Sequence, residues 1–459
     1  MLVTIRSLLD GRPVEVFPGL FIYTPPTREH FSGQSLIGDV LDESILNSPS
    51  LTHAGFGYSV AEDSFIDRAI NAFGLWRLNH VHQLGFLQDP DTTPEDRPFQ
   101  PRFMHTRFLL SLDVAALAAT IVYNNQAFFT ERPSYAKTMV LAALTHDVLT
   151  PAGGDTTKSI DFAAFDEDIG YPEVLGYPAV ARFLRVEDID GQLLAATIRN
   201  EGPLGSVLDL VDKLGYISRD TINFEGNRDT RIIPWDWRSP RRQIVSESTR
   251  TENLTGLWQS VKVDEDGVVI TDSDHLYRFL YARALMFQHL YTAPEARYQE
   301  SLIARTILSF LYDTGRLTRD WLLTRTDIEL RREVGQLISE RFFGYLVNYR
   351  ATYRVFDTVD RACMFEGACL AKKRYFVQTE DVGRFFKPAT HFRIETSAGV
   401  VPFIESAPQL AAKVLTAGRS TQPIRVYYLE GDQPKLNPTW KEEFELWRME
   451  QFVRDRRSL

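Results

Sequence analysis

From Ser64 to about residue 221, and again from His275 to about Tyr349, the apolar residues recur with helical rather than strand spacing, and this pattern constrains the fold more than any other feature. Ile66, Ile70, Phe73, Leu75, Leu78 and Val81 follow one another mostly at three- to four-residue intervals, which places them on one helix face. Arg107 to Val122 and Tyr135 to Val148 read as further helices. The first contains the longest apolar run, Val114 to Val122, with four alanines and a threonine. A helix apolar on every side belongs inside a core. Residues 174–200 and 204–221 continue the pattern, and His275 to about Tyr349 is helical again. Asp89 to Pro101, with four prolines and four acids, reads as an exposed loop. Residues 149–160, with Pro151, Gly153 and Gly154, read as a loop leaving a helix directly after His146-Asp147.

Both ends break the helical period. Val3 to Leu8 and Val14 to Tyr23 are β-prone and flank Leu9-Asp10-Gly11-Arg12-Pro13, which predicts a hairpin over residues 1–24. Residues 25–62 read as loop with short helical pieces. Val261-Lys262-Val263 and Val268-Val269-Ile270 suggest a short β insertion. Phe392 to Thr396, Val400 to Ile404 and Ile424 to Leu429 are strand-like, and a polar helix is expected from Trp440 onward. The reading is a mainly α fold with an N-terminal β hairpin and a C-terminal α+β appendage, divided as 1–62, 63–350 and 351–459. His80 and His82 read as polar residues on a helix, pointing apart.

A chain of 459 residues buries a large core without staples. Its two cysteines, Cys363 and Cys369, form no disulfide framework and no zinc-finger spacing, so reduced thiols are expected. The formal net charge of −10 weighs against a dedicated nucleic-acid binder. The N-terminus, interrupted by Asp10 and Arg12, does not read as a signal peptide, and no transmembrane helix or membrane partner is expected. A cytoplasmic protein is the expectation.

Two segments carry chemistry. His146 and Asp147 end the apolar helix Met139 to Thr145, where adjacent ligands of different length can reach one metal ion at a cleft. Downstream, Asp212, Tyr216 and Asp220 are spaced by four and share a helix face, with Lys213 on its flank. That stripe offers a carboxylate for a metal, a lysine for phosphate, a phenol and a second carboxylate. The plain alternative is a solvated face of ion pairs. Lys158, in the loop Gly153 to Lys158, could approach a phosphate, or the loop could be a simple connection.

Four segments together resemble the HD-domain superfamily, and within it the deoxynucleoside triphosphate triphosphohydrolases. They are Arg77 to Gly85, His105 to Val114, Leu144 to Asp147, and Val211-Asp212-Lys213 through Tyr216 to Arg219-Asp220, the last being the most specific. A fainter likeness runs through Leu317-Thr318 and Thr326 to Leu330. The resemblance covers roughly residues 64–345 and implies an HD helical core. It implies His146, Asp147 and Asp212 as ligands of a divalent ion (Mn, Mg, Fe or Co), and Gln83 and Arg107 facing a nucleotide. It further implies Lys213 on phosphate, Tyr216 on the sugar and Asp220 on a sugar hydroxyl, in a homo-oligomer.

The chain also departs from the family. Leu110 stands where the second motif supplies a metal histidine, and His105 lies five residues earlier. Thr150 and Asp155 stand where histidines follow the His-Asp pair, and no histidine occurs between His146 and His275. Asp155 is therefore the candidate replacement ligand or base, acting with Asp147, while Glu167 and Glu173 are less well placed candidates. Two functions follow as expectations: a metal-dependent phosphohydrolase acting on a nucleotide or related phosphoester, or a degenerate HD domain that binds a nucleotide and regulates a partner.

Overall fold

The computed structural model describes residues 14–17, 20–23, 57–60, 65–83, 85, 106–226, 257–338, 352–420, 422–430 and 436–458. Strands β1 (Val14–Phe17), β2 (Leu20–Tyr23) and β3 (Gly57–Val60) form an antiparallel sheet in that order. The expected hairpin thus falls inside the single β-prone run Val14 to Tyr23. Val3 to Leu8 lies outside the described residues.

The helical body comprises α1 (Phe65–Phe73), α2 (Arg107–Asn124), α3 (Pro133–Thr145), α4 (Gly154–Lys158), α5 (Glu167–Leu175), α6 (Pro178–Glu187), α7 (Gly191–Ile198) and α8 (Gly202–Gly226). After the hairpin β4 (Val261–Asp264) and β5 (Gly267–Ile270) come α9 (Ser273–Met286), α10 (Pro294–Leu302) and α11 (Asp327–Leu337). Shorter helical pieces connect them. The C-terminal part contains β6 (Tyr353–Phe356), α12 (Val359–Ala371), β7 (Val377–Asp381), β8 (Arg393–Thr396), β9 (Gly399–Pro402), β10 (Ile424–Tyr428) and α13 (Pro438–Ser458).

Two sheets organise this region. β10 lies antiparallel between β6 and β7, so β6-α12-β7 is a split βαβ unit. The other sheet has the order β4-β5-β8-β9, with β5 parallel to β8. The β insertion of the helical body therefore shares a sheet with the C-terminal strands.

α2 is the central helix. Thr106 caps it, accepting from the Leu109 amide, and its side chains are buried nearly all round. By length and composition alone it could cross a membrane, which the sequence reading had not expected of any segment. Here it packs against α3 and α8 inside the core, as its run Val114 to Val122 predicts. Contact with α8 depends on Gly215: a Cβ there would stand 2.7 Å from Val114 Cγ2 and 3.5 Å from Leu110 Cδ1. Gly215→Ala should therefore destabilise the protein by about 1–3 kcal/mol through overpacking, despite alanine's better helix propensity. A lower denaturant midpoint in an equilibrium unfolding curve checks this.

Candidate functional site

His146 and Asp147 follow the last turn of α3, and the sequence places them correctly at a helix end beside a glycine-bent loop. Ala143 O lies 2.8 Å from His146 Nδ1. A carbonyl can only accept, so Nδ1 carries a proton and the imidazole directs Nε2 into the site. Nε2 is buried and, among the described residues, finds no well-directed hydrogen-bond partner. It stands 3.4 Å from Asp212 Oδ1 and 3.6 Å from Asp147 Oδ2. Burial alone would lower the imidazole, but Asp147 and Asp212 hold it up to about 9. The three expected ligands are thus neighbours.

Arg107, first residue of α2, is the hub on the other side. Its Nη1 donates to Asp147 Oδ1 at 3.0 Å and Oδ2 at 3.1 Å. Its Nη2 donates to Gln83 O at 3.2 Å and to Asp155 Oδ1 at 2.5 Å. Both Arg107 and Asp147 are buried. Burial disfavours the Asp147 carboxylate, but Arg107 and then His146 outweigh it and hold the carboxyl well below the usual range.

The Thr150 hydroxyl lies 3.1 Å from Asp147 Oδ1 and 2.8 Å from Glu167 Oε1. It has one proton, so it donates to one carboxylate while touching the other. Lys158 Nζ sits 2.6 Å from Glu167 Oε1 and 4.0 Å from Asp155 Oδ1. Burial pushes the Glu167 carboxyl up, against the pull of Lys158. Within the expected 149–160 loop, Asp155 and Lys158 in fact lie on the short helix α4, whose start approaches the segment before α2 so closely that a Cβ on Gly154, at φ +53°, would meet His82 O at 2.8 Å. That contact and the left-handed backbone both require glycine.

Along α8, Asp212, Tyr216 and Asp220 line one face as the spacing predicts; Asp212 faces His146, whereas the partners of Tyr216 and Asp220 come from α9 and the π-helical turn after it. Arg283 Nε donates to Tyr216 Oη at 2.8 Å, and Arg283 Nη1 donates to Lys387 O at 2.7 Å. Burial pushes the Tyr216 phenol up to about 12. Tyr291 Oη donates to Asp220 Oδ2, and the Tyr216 and Tyr291 rings lie edge to face at 6.3 Å. Lys213 pairs instead with Asp209, which His391 Nε2 approaches at 3.4 Å. Gln83 is buried, with Oε1 lacking a hydrogen-bond partner among the described residues.

Leu110 is 1% exposed in the apolar core and adds no donor. His105 lies outside the described residues. Among the described residues no group of three or more His, Cys, Asp and Glu side chains has the arrangement of a ready metal site. Asp147 is turned to Arg107. The chemistry of His146, Asp147 and Asp212 nonetheless fits a divalent ion: an orphaned imidazole Nε2 of fixed tautomer, with two carboxylates beside it.

The sequence reading needs correction at one histidine. His82 is not on a helix; a 3-10 turn, Leu75–His80, ends before it, and it forms a bridge with Thr106. The sequence motifs assign no role to Arg283 or Tyr291. A helical register running eight residues from Arg283 to Tyr291 was the available signal.

The fold defines the class first: a mainly α body with small sheets, shared with solved proteins at low identity. One is a hypothetical protein from Aquifex aeolicus, 16% identical, with a TM-score of 0.56 over 86% of this chain and 98% of that one. Another is a phosphohydrolase from Bacteroides thetaiotaomicron, 16% identical, with a TM-score of 0.52 over 82% of this chain and 97% of that one. The chain thus has the fold of a solved phosphohydrolase. No protein-family model and no curated protein matches it in sequence.

Proposed function

We propose that this protein is a metal-dependent phosphohydrolase of the HD superfamily acting on a nucleotide, with deoxynucleoside triphosphates as the first substrates to test. The observation that carries the reading is His146 Nε2, buried, without a well-directed hydrogen bond and flanked by Asp147 and Asp212. Charge supports it. When His146 gives up its proton, as a metal ligand must, the carboxylates Asp147, Asp155, Glu167 and Asp212 outnumber the cations Arg107 and Lys158 around them. A polyphosphate entering such a site needs additional positive charge, which a divalent ion on His146, Asp147 and Asp212 supplies.

Bound there, the ion would polarise a phosphoryl oxygen and ready a water for attack. The remaining chemistry belongs to the chain. Arg107 presents a guanidinium whose charge is fixed, and Lys158 adds a point charge on a short helix next to it. Asp155, half-exposed and anchored by Arg107, is open to solvent and takes the proton of the attacking water. Tyr216, held by Arg283, and Asp220, held by Tyr291, flank the sugar.

A second reading is a nucleotide-binding protein that regulates a partner without turnover. Leu110 in the core, with no closed donor set beside it, favours that reading. The test is purified protein with Mn²⁺, Mg²⁺, Fe²⁺ or Co²⁺ and a panel of dNTPs, NTPs and monophosphates. Phosphate or triphosphate release that requires the ion and disappears with chelator is expected. Intact nucleotide binding with no release from any of them overturns the enzyme reading in favour of the second.

A further inference from the structure

Asp327 opens α11, where an aspartate would ordinarily serve the helix's own first turn. That turn is already satisfied by a capping box, in which Thr326 and Glu329 exchange hydrogen bonds, with Thr326 N donating to Glu329 Oε2 at 2.9 Å. The Asp327 carboxylate, 8% exposed, leaves its helix instead. Its Oδ1 accepts from Gly153 N at 2.7 Å, across 174 residues of sequence. Its Oδ2 accepts from the backbone N of His82 at 2.9 Å and lies 2.7 Å from His82 Nδ1, across 245 residues.

These two anchor points have a common consequence. His82 precedes Gln83, whose carbonyl accepts from Arg107 Nη2, and Gly153 stands two residues before Asp155, whose carboxylate accepts from the same nitrogen. We propose that Asp327 is a positioning residue that fixes both acceptors of Arg107 Nη2 and so aims the guanidinium that receives the polyphosphate. The inference rests on the reading that Arg107 faces phosphate. The surroundings act in the same direction: Arg77 Nη2 donates to Val148 O and Thr150 O, and Ala152 N donates to Leu322 O, so this loop is held both from the Leu75–His80 turn and from the short helix before α11. A carboxylate is required because N–H donors approach both of its oxygens. Asparagine has one acceptor oxygen, and its amide would face an N–H.

The experiment uses the full chain with Mn²⁺ and inorganic tripolyphosphate as the probe, measured by titration calorimetry, with hydrogen exchange followed by mass spectrometry. Asp327→Asn should weaken tripolyphosphate binding about tenfold, as loss of an outer-shell support typically does. Amide exchange should accelerate in residues 79–85 and 148–158 and stay unchanged in α8. Because Asp327 acts through Arg107, Asp327→Asn added to Arg107→Ala should cost nothing further. Asp327→Asn with unchanged affinity, an undiminished additive loss on Arg107→Ala, or exchange accelerated throughout the chain overturns the inference. Arg107→Ala binding like the unaltered protein instead sinks the phosphate role of Arg107. If Asp327→Asn does not fold, His82→Asn, which removes only the side-chain arm, should show the same local exchange pattern at smaller amplitude, and its absence overturns the inference equally.

Discussion

Asp147→Asn should abolish metal-dependent hydrolysis and also destabilise the protein by about 3–5 kcal/mol, the cost of breaking a buried ion pair from one side. Asp147 is 2% exposed and Arg107 5%, so neither group can turn to water when its partner goes. Asparagine has a single acceptor oxygen for the two contacts that Arg107 Nη1 makes, and it withdraws the negative charge beside His146. Removing both charges is a different matter. Arg107→Met with Asp147→Leu should recover much of the lost stability, because apolar groups of similar volume replace the pair without leaving a charge unpaired. The remaining partner, Asp155, has a 45% exposed side chain and can solvate.

Acid should act in the same sense. The Asp147 carboxyl is depressed in the folded chain, so its contribution is fully present above the ordinary carboxyl pKa and is lost as pH falls through the lower folded value. Asp147→Asn should remove that part of the acid dependence. Denaturant unfolding at neutral and acid pH measures both effects. An Asp147→Asn midpoint equal to the parent's would show that Arg107 is satisfied without it.

The helices and strands that proved legible are those with a local period. α2 and α8 are visible because apolar residues repeat every three to four positions, and β4 and β5 because Val261, Val263 and their partners alternate or run β-branched. What the sequence hides depends on distant partners. Nothing within residues 75–82 shows that the helical turn stops and that His82 pairs with Thr106 and Asp327. Likewise Asp212, Tyr216 and Asp220 are readable as one face, whereas Arg283 and Tyr291, which hold Tyr216 and Asp220, come from a segment about 70 residues away, at separations of 67 and 71. Lys213 shows the limit of spacing: its flank position is as expected, but the nearest carboxylate, Asp209, is one turn back on the same helix and takes its charge.

Leu110→His is expected to lose stability in the absence of metal and to regain it with Mn²⁺ to a greater extent than the parent chain. Position 110 lies one turn after Arg107 on α2, and its side chain packs against Gly215, one turn after Asp212 on α8. An imidazole there is one helical turn from Arg107 and packs one turn from Asp212, yet inside an apolar core. Without an ion, burying an unsatisfied polar ring costs about 1–3 kcal/mol, added to the lost packing of leucine. An ion that takes the new nitrogen as a ligand stabilises the folded state by about 2.7 kcal/mol when present at a hundred times its dissociation constant. Thermal melts of both chains with and without Mn²⁺ measure the difference. Equal metal shifts in the two proteins would place position 110 outside the ion's reach, and would leave His146, Asp147 and Asp212 to bind it with water or substrate in the remaining positions. A larger shift in Leu110→His, accompanied by faster phosphate release, would mean that leucine here lowers metal affinity without closing the site. A larger shift without release would favour the regulatory reading, since a completed ligand set would then still lack the means to turn over its nucleotide.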